Sequence, residues 1–198
     1  EIIKIIIANR LNSVFNPKIN LDEAFKSLGC TEHVSHMDVG FLNPFLVATQ
    51  KTLEVQANTK VNVGRPRLKE PGEKLNADIA GVINLQSNVF EGSISLCFPA
   101  KVFLSIYSNM VGEKHETISK EIADAAGELM NIIFGQAKME LNDKHQYQIQ
   151  KAIPTVVLGN DFQVLHMNRN TVMLLPFETE VGGFFVEISI NPVHWDKK

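Results

Sequence analysis

A carboxylate and a carboxamide stand three residues apart in one predicted helix, at Glu128 and Asn131 within residues 118–141. Asp124 precedes Glu128 by four residues and Gly135 follows Asn131 by four, so the four positions share a narrow arc at 3.6 residues per turn. The opposite side is apolar and predicts a buried face, at Ile122, Ala126, Leu129 and Ile133. We therefore expect the polar arc to face solvent.

Two glycines lie beside this arc, and glycine is unfavourable inside a helix. Gly127 and Gly135 each cost about 1 kcal/mol relative to alanine. Small residues next to a carboxylate and a carboxamide would let another molecule approach closely. The alternative is that Glu128 and Asn131 form only the solvated side of an amphipathic helix, and the helix pattern alone favours that interpretation.

The spacing of this pair is not specific, because Glu73 and Asn76 repeat it. Pro99 even follows Asn76 at the distance that separates Pro154 from Asn131. Glu73 and Asn76 lie in a predicted turn, however, so their side chains need not share a face. The helical context, and not the spacing, distinguishes the pair at Glu128 and Asn131.

The segment resembles the signature helix of the CheC/CheX family of response-regulator phosphatases. That signature is Asp or Ser, three residues, Glu, two residues, Asn, twenty-two residues and Pro, which Asp124, Glu128, Asn131 and Pro154 match at every spacing. The order of predicted elements is similar over residues 43–191. The resemblance leaves the first forty residues uncovered.

The resemblance implies a phosphatase that dephosphorylates the phospho-aspartate of a CheY-type response regulator. Glu128 would form a salt bridge to the regulator's lysine, and Asn131 would hold a water in line with phosphorus. Pro154 would fix the strand beside the site. Contacts with the partner are expected at Asp124, Gly127 and Gly135. No cofactor is expected in this chain, since the partner's receiver domain would supply Mg²⁺.

The same resemblance bears on the number of sites and on an alternative function. CheC proteins have a second site on their first long helix, where this chain has Glu54 followed by Ala57 in place of asparagine, and Asn58 comes one residue too late. One site per chain is therefore expected, as in CheX. The alternative is a non-catalytic CheC/FliM-like module that binds a response regulator.

The pattern of helices and strands predicts an α+β fold. Helices are expected at residues 43–57, with Asn43 as N-cap and Pro44 at the first position, at 99–110, closed by Gly112, and at 118–141, capped by Thr117 or Ser119. Strands are expected at residues 61–69, 78–85, 89–98, 152–158, 162–167, 172–179 and 184–190, the last two joined by a turn at 181–183. This order predicts an antiparallel sheet covered by long helices, in two pseudo-symmetric α-β-β-β halves.

The first forty residues differ from the rest. A strand at residues 2–8 and a short helix at 21–28 resemble the start of a receiver domain, but Ala8, Asn9 and Arg10 replace the expected acidic pair. We expect residues 1–40 to be an accessory segment of unknown role and residues 41–198 to form the CheX-like domain. A metal role for Cys30, His33 and His36 is not favoured.

Composition excludes several other classes of protein. The net charge of -3 gives no reason to expect a nucleic-acid partner. No run approaches the ~18 apolar residues of a membrane span, and no signal peptide is recognisable, so a cytoplasmic protein is expected. Of the two cysteines, Cys97 reads as a buried apolar residue. A homodimer is expected, since CheX-like proteins join sheet edges and the apolar hairpin at 172–190 would make an adhesive edge if unpaired.

Overall fold

The computed structural model describes residues 39–70, 72–166 and 171–193. The strand at residues 2–8, the helix at 21–28 and the trio Cys30, His33 and His36 lie outside the described residues. The helices are α1 (Val39–Ala57), α2 (Ala100–Val111) and α3 (Lys120–His145). The strands are β1 (Asn62–Val63), β2 (Arg67–Leu68), β3 (Ala77–Gln86), β4 (Phe90–Phe98), β5 (Thr155–Phe162), β6 (Met173–Thr179) and β7 (Gly182–Pro192).

The strands form one antiparallel sheet in the order β1-β6-β7-β4-β3-β5, with β2 also paired to β6. If β1 is exchanged with β5, β3 with β6 and β4 with β7, the result is the same order read from the opposite edge of the sheet. The described sheet therefore has a pseudo-twofold axis between β4 and β7. The α+β prediction with two similar halves is confirmed. Helices α1 and α3 are the corresponding helices, and they pack against each other.

The main core lies between the helices and one face of the sheet. Phe41, Phe90 and Tyr147 pack in edge-to-face contact where the start of α1 meets the chain after α3. At the centre of β3 a Cβ on Gly81 would lie 2.8 Å from both the Ala126 carbonyl oxygen and Met130 Cβ. The absence of a side chain at Gly81 therefore lets α3 approach the sheet closely.

Local signals set both ends of α3. The Ser119 Oγ accepts a hydrogen bond from the backbone N–H of Ile122, at 3.3 Å, which confirms Ser119 as N-cap. The helix runs four residues beyond the predicted Leu141 to His145, and Gln146 caps it with a φ of 55°. The Asn142 side chain, in the last turn of α3, donates to the carbonyl oxygen of Ile149 and accepts from its backbone N–H, which holds the chain after the helix against its last turn.

Proline and glycine residues explain why two predictions for the first half of the domain were wrong. Pro44 lies inside α1 and is buried, so it is not the first residue of the helix, and Asn43 is not its cap. The predicted strand at 61–69 is broken into β1 and β2. Pro66 between them has no N–H for a ladder, and a Cβ on Gly64 would lie 2.9 Å from Pro176 Cγ.

The second half also differs from prediction. The turn of the hairpin is formed by Glu180 and Val181, because Gly182 already pairs with Thr179. The hairpin of β6 and β7 is not a free edge, since β6 pairs with β1 and β2 and β7 is central. The predicted strand at 162–167 does not form among the described residues 163–166. In that segment His166 is bonded to side chains of the sheet face instead of to a neighbouring strand.

Candidate functional site

α3 presents its polar arc to solvent and buries its apolar face, as predicted. Asp124, Glu128, Asn131 and Gly135 are all exposed. The buried residues of this helix are Ile122, Ala123, Ala126, Leu129, Met130, Ile133, Phe134, Ala137 and Leu141. These nine side chains pack α3 against both α1 and the sheet, and such tertiary packing is what stabilises a helix in a protein. The exposed arc is therefore held in one orientation relative to the sheet.

Glu128 and Asn131 have no hydrogen-bond or ion-pair partner among the described residues. Both side chains are consequently available to another molecule. Their spacing places them one turn apart, with Cβ atoms about 5–6 Å from each other. A carboxylate and a carboxamide so arranged can pair with one cation and orient one water molecule beside it.

Glu73 and Asn76, which repeat the spacing, form no comparable pair. Arg67 donates two hydrogen bonds to Glu73, with Nη1 2.8 Å from Oε2, and the backbone N–H of Glu70 donates a third at 2.9 Å. The hydrogen bonds from Arg67 lower the pKa of Glu73 to about 2. This carboxylate is therefore committed to the turn that contains it, and neither Glu73 nor Asn76 belongs to a helix or strand.

Gly127 and Pro154 form one rim of the exposed arc. A Cβ on Gly127 would lie 3.0 Å from Val156 Cγ2 and 4.0 Å from Pro154 Cβ. Pro154 directly precedes β5, so the proline and the start of this edge strand lie against the turn of α3 that carries Glu128. The signature proline therefore lies close in space to Gly127, the residue that precedes Glu128.

Gly135 has the opposite environment to that of Gly127. A Cβ built on Gly135 would meet no atom within 4 Å. Packing within the described chain therefore gives no reason for a glycine at this position. The helix surface is low here, one turn beyond Asn131.

The first helix carries no equivalent pair, although the sequence comparison chose the wrong positions for it. Buried residues follow the same four-three-four spacing in both helices, with Phe41, Phe45, Ala48 and Thr52 in α1 matching Ile122, Ala126, Leu129 and Ile133 in α3. Val47 and Gln50 therefore correspond to Glu128 and Asn131. Ala57, which the sequence comparison matched to the asparagine, is fully buried. A valine cannot bind a cation, so a single pair per chain is still expected.

The exposed arc is longer than sequence analysis predicted. Glu121 lies one turn before Asp124 and Met139 one turn after Gly135, and both are exposed. Glu121, Asp124 and Glu128 thus give three carboxylates in line, none of them paired among the described residues. The same three-four spacing that identified the arc could have found these two residues.

Polar side chains also cluster on the sheet face opposite the helices. His166 Nδ1 lies 2.6 Å from Ser93 Oγ, and His166 Nε2 lies 3.1 Å from Glu187 Oε2. Lys69 Nζ is 2.6 Å from the other Glu187 oxygen. Sequence analysis missed this cluster because its members come from four distant segments.

Serine, histidine and glutamate in contact are the residue types of a hydrolytic triad, but this cluster has no room for a substrate. The side chains of His166 and Glu187 are only 2% and 1% exposed. Ser93 lies in β4, which pairs with β3 on one side and β7 on the other. The backbone N–H groups of this strand are therefore used in the sheet and are not free to bind a substrate. The cluster therefore anchors residues 163–166 on the sheet and neutralises a buried carboxylate.

Within the described part of the chain, no three histidine, cysteine, aspartate or glutamate residues are grouped as metal ligands. Burial raises the pKa of the Cys97 thiol to about 12, so this cysteine is an inert apolar residue, as predicted. Among the helices of the described residues, none combines the length and hydropathy that a membrane crossing needs.

Comparison with known proteins identifies relatives of this chain. The family model described as chemotaxis phosphatase CheX matches residues 79–178. A CheC-like superfamily protein from Shewanella sp. PV-4 is 34% identical, with a TM-score of 0.73, over 78% of this chain and 99% of that one. Chemotaxis protein CheX from Vibrio vulnificus is 30% identical, with a TM-score of 0.72, over 76% and 99%.

A more distant likeness extends to the CheX-CheY-BeF3-Mg+2 complex from Borrelia burgdorferi, at 21% identity and a TM-score of 0.64 over 78% of this chain and 99% of that one. At this identity the likeness shows the fold alone. Comparison with curated proteins gives no match. Since the family model matches half of the chain and the Shewanella protein is matched over almost its whole length, this chain belongs to the CheX family.

Proposed function

We propose that this protein removes the phosphoryl group from the phospho-aspartate of a CheY-type response regulator. The observation that carries the proposal is the free pair on α3, because Glu128 and Asn131 are exposed side by side and have no partner among the described residues. Membership of the CheX family supports this reaction. A protein of the same fold from Borrelia burgdorferi was solved with CheY, BeF3 and Mg+2.

Asn131 orients the attacking water in the proposed reaction. Its carboxamide oxygen accepts a hydrogen bond and its NH₂ group donates, so one side chain can hold a water in line with phosphorus. The water oxygen bonds to phosphorus while the bond from phosphorus to the aspartyl oxygen breaks. The products are the aspartate carboxylate and inorganic phosphate, which keeps the proton that the water loses.

Glu128 docks the regulator by pairing with the lysine of its receiver domain. An exposed ion pair contributes modest affinity, but a lysine beside the phosphoryl group also sets the register of the two proteins. Mg²⁺ belongs to the receiver domain in this proposal. Partner contacts are proposed at Asp124 and Gly135 on the open side of α3, and at Gly127 on the edge of that side towards β5, where Pro154 holds the adjacent strand.

The experiment is a phosphate-release assay with a panel of phosphorylated receiver domains. Asn131→Ala should lower the rate constant for hydrolysis by about 10²-fold or more, the scale for loss of a group that positions a reactant, while binding of the BeF3-treated receiver persists. The matched control is Gln50→Ala, the corresponding amide of α1, which should hydrolyse at the wild-type rate.

Full activity in Asn131→Ala would refute the assignment of this residue. If the wild-type protein binds a phosphorylated receiver but accelerates no hydrolysis, the non-catalytic binding module is the correct function. Loss of activity in Gln50→Ala would contradict a single site per chain.

A homodimer remains part of the proposal, but through a different edge from the one expected. β5 pairs only with β3 among the described strands, and it exposes Val157 and Leu158. An open apolar strand edge is a surface for strand addition. Val157→Lys with Leu158→Lys should convert a dimer to a monomer in light scattering.

A further inference from the structure

We propose that Gly81 is a positioning residue for the proposed reaction, because it sets how closely α3 lies on the sheet. Gly81 is buried in β3, outside the signature, and has no side chain with which to touch a regulator. It acts through the turn of α3 that carries Glu128. This inference rests on the proposed function and adds to it a residue beneath the site.

A side chain at residue 81 would collide with α3. A Cβ there would lie 2.8 Å from the Ala126 carbonyl oxygen and 2.8 Å from Met130 Cβ. Neither atom can be moved aside by a change of side-chain rotamer. Non-bonded carbon atoms ordinarily lie about 3.5–4.0 Å apart, so alanine in place of Gly81 would push this turn of the helix outwards by roughly 0.5–1 Å.

A second glycine fits the same turn of α3 against β5. Gly81 pairs directly with Val156 across strands β3 and β5. Val156 Cγ2 in turn lies 3.0 Å from the point where a Cβ on Gly127 would be. The paired residues Gly81 and Val156 thus contact two consecutive residues of the helix, Ala126 and Gly127. We call this set of contacts the α3 seat, and Glu128 is the next residue after it.

Of the two described halves, the one without the carboxylate and carboxamide pair lacks such a seat. Strand β6 corresponds to β3, contains no glycine and presents large side chains to the main core, namely Met173, Leu175 and Phe177. In α1 the position that corresponds to Gly127 is Leu46. Helix α1 packs mainly on α3 and α2, whereas α3 also packs closely on β3. The seat is therefore found with the helix that carries Glu128 and Asn131.

Stable packing does not require these glycines, since the other half is packed without them. Glycine weakens both a strand and a helix, so its presence at the seat calls for another reason. A group that orients a reacting water must be held to about 0.5 Å, and a displacement of about 1 Å can cost about a hundredfold in rate. The shift that a methyl group on Gly81 would cause is of this size. We infer that the seat fixes the distance of Asn131 from the phosphoryl group.

The test measures kcat and KM with a phosphorylated receiver that the wild-type protein hydrolyses, with rates expressed per folded molecule. Gly81→Ala should lower kcat about tenfold to a hundredfold, because Asn131 is displaced. KM should stay within about threefold of wild type, since the ion pair of Glu128 with a flexible lysine tolerates a small shift.

The matched control for lost stability is Lys69→Met, which breaks an ion pair on the opposite face of the sheet. This variant should keep the wild-type kcat per folded molecule. An equal loss of kcat in Lys69→Met and Gly81→Ala would contradict the inference, because instability and not position would then explain both.

A second set of variants tests the seat from the side of the helix. Gly127→Ala should lower kcat about threefold, less than Gly81→Ala does, because its methyl group meets a side-chain atom that can move. Val156→Ala removes that atom, so the double variant should recover kcat to within about twofold of Val156→Ala alone. A methyl group that obstructed the regulator at Gly127 would not be relieved by a change in β5.

Wild-type kcat in folded Gly81→Ala would overturn the inference while the proposed function stood. If Gly81→Ala does not fold, the helix variants decide, and either an unchanged kcat in Gly127→Ala or no recovery in the double variant would overturn it. A wild-type protein without activity towards any receiver would instead remove the proposed function, and this inference with it.

Discussion

Val156 Cγ2 lies 3.0 Å from the point where a Cβ on Gly127 would be, so strand β5 touches α3 at a helical position that has no side chain. The other glycine of the helix, Gly135, has open space around that point. The two glycines lie in the same helix but differ in their surroundings. Comparing them distinguishes the intrinsic cost of glycine in a helix from the benefit of close packing at Gly127.

Alanine substitution at these two positions should have unequal effects on stability. Gly135→Ala should raise the free energy of unfolding by about 0.5–1 kcal/mol, because alanine is the better helix former and meets no neighbour. Gly127→Ala should gain less or lose stability, since its methyl group presses on Val156. Urea unfolding of both variants measures the difference, and equal gains would contradict the contact.

Glu73 should make stability depend on acid. Its pKa is about 2, below the ordinary value of 4.5, so the folded state holds the proton less tightly than the unfolded state. The stabilisation is complete above pH 4.5 and is lost as the pH falls towards 2. Glu73→Gln should therefore destabilise the protein at pH 7, by about 1 kcal/mol for a partly exposed pair.

The measurement for Glu73 is urea unfolding of wild type and variant at pH 7 and near pH 2.5. The difference between the two proteins should shrink at the lower pH. Glu113→Gln, at an exposed loop residue, is the control and should show no difference at either pH. A constant deficit in Glu73→Gln across this range would show that its hydrogen bonds stabilise the fold independently of charge.

The buried ion pair on the far face should matter for stability and not for catalysis. Lys69→Met leaves the Glu187 carboxylate, which is 1% exposed, without its lysine. Breaking a buried pair at one partner costs about 3–5 kcal/mol. Lys60→Met, at an exposed residue, should be neutral. Denaturant unfolding checks the stability of both variants.

Phosphate release by Lys69→Met should match wild type per folded molecule, because the pair lies across the sheet from α3. A loss of kcat in fully folded Lys69→Met would show that the two faces of the sheet are coupled.

Local signals made α3 and its polar arc predictable. Ser119 bonds to the first turn of the helix, and the apolar period assigns one side to the core, so the exposure of Glu128 and Asn131 follows from residues within one segment. The predicted turn around Glu73 likewise excluded Glu73 and Asn76, which repeat the spacing of the pair. The role of Gly127 was less accessible, since the residue it accommodates, Val156, lies far along the chain.

By itself the sequence determined the helical arc, its signature spacing and the α+β class, because helix phase and strand alternation are local properties of the chain. Only the tertiary structure decided that β5 and not the terminal hairpin is an open edge, that Pro154 lies beside Gly127, and that Val47 and Gln50 are the counterparts of the pair. These facts depend on which distant strands pair and on which helix face packs on the sheet. Contacts between distant segments leave no periodic trace in the sequence, and for that reason they could be read only from the fold.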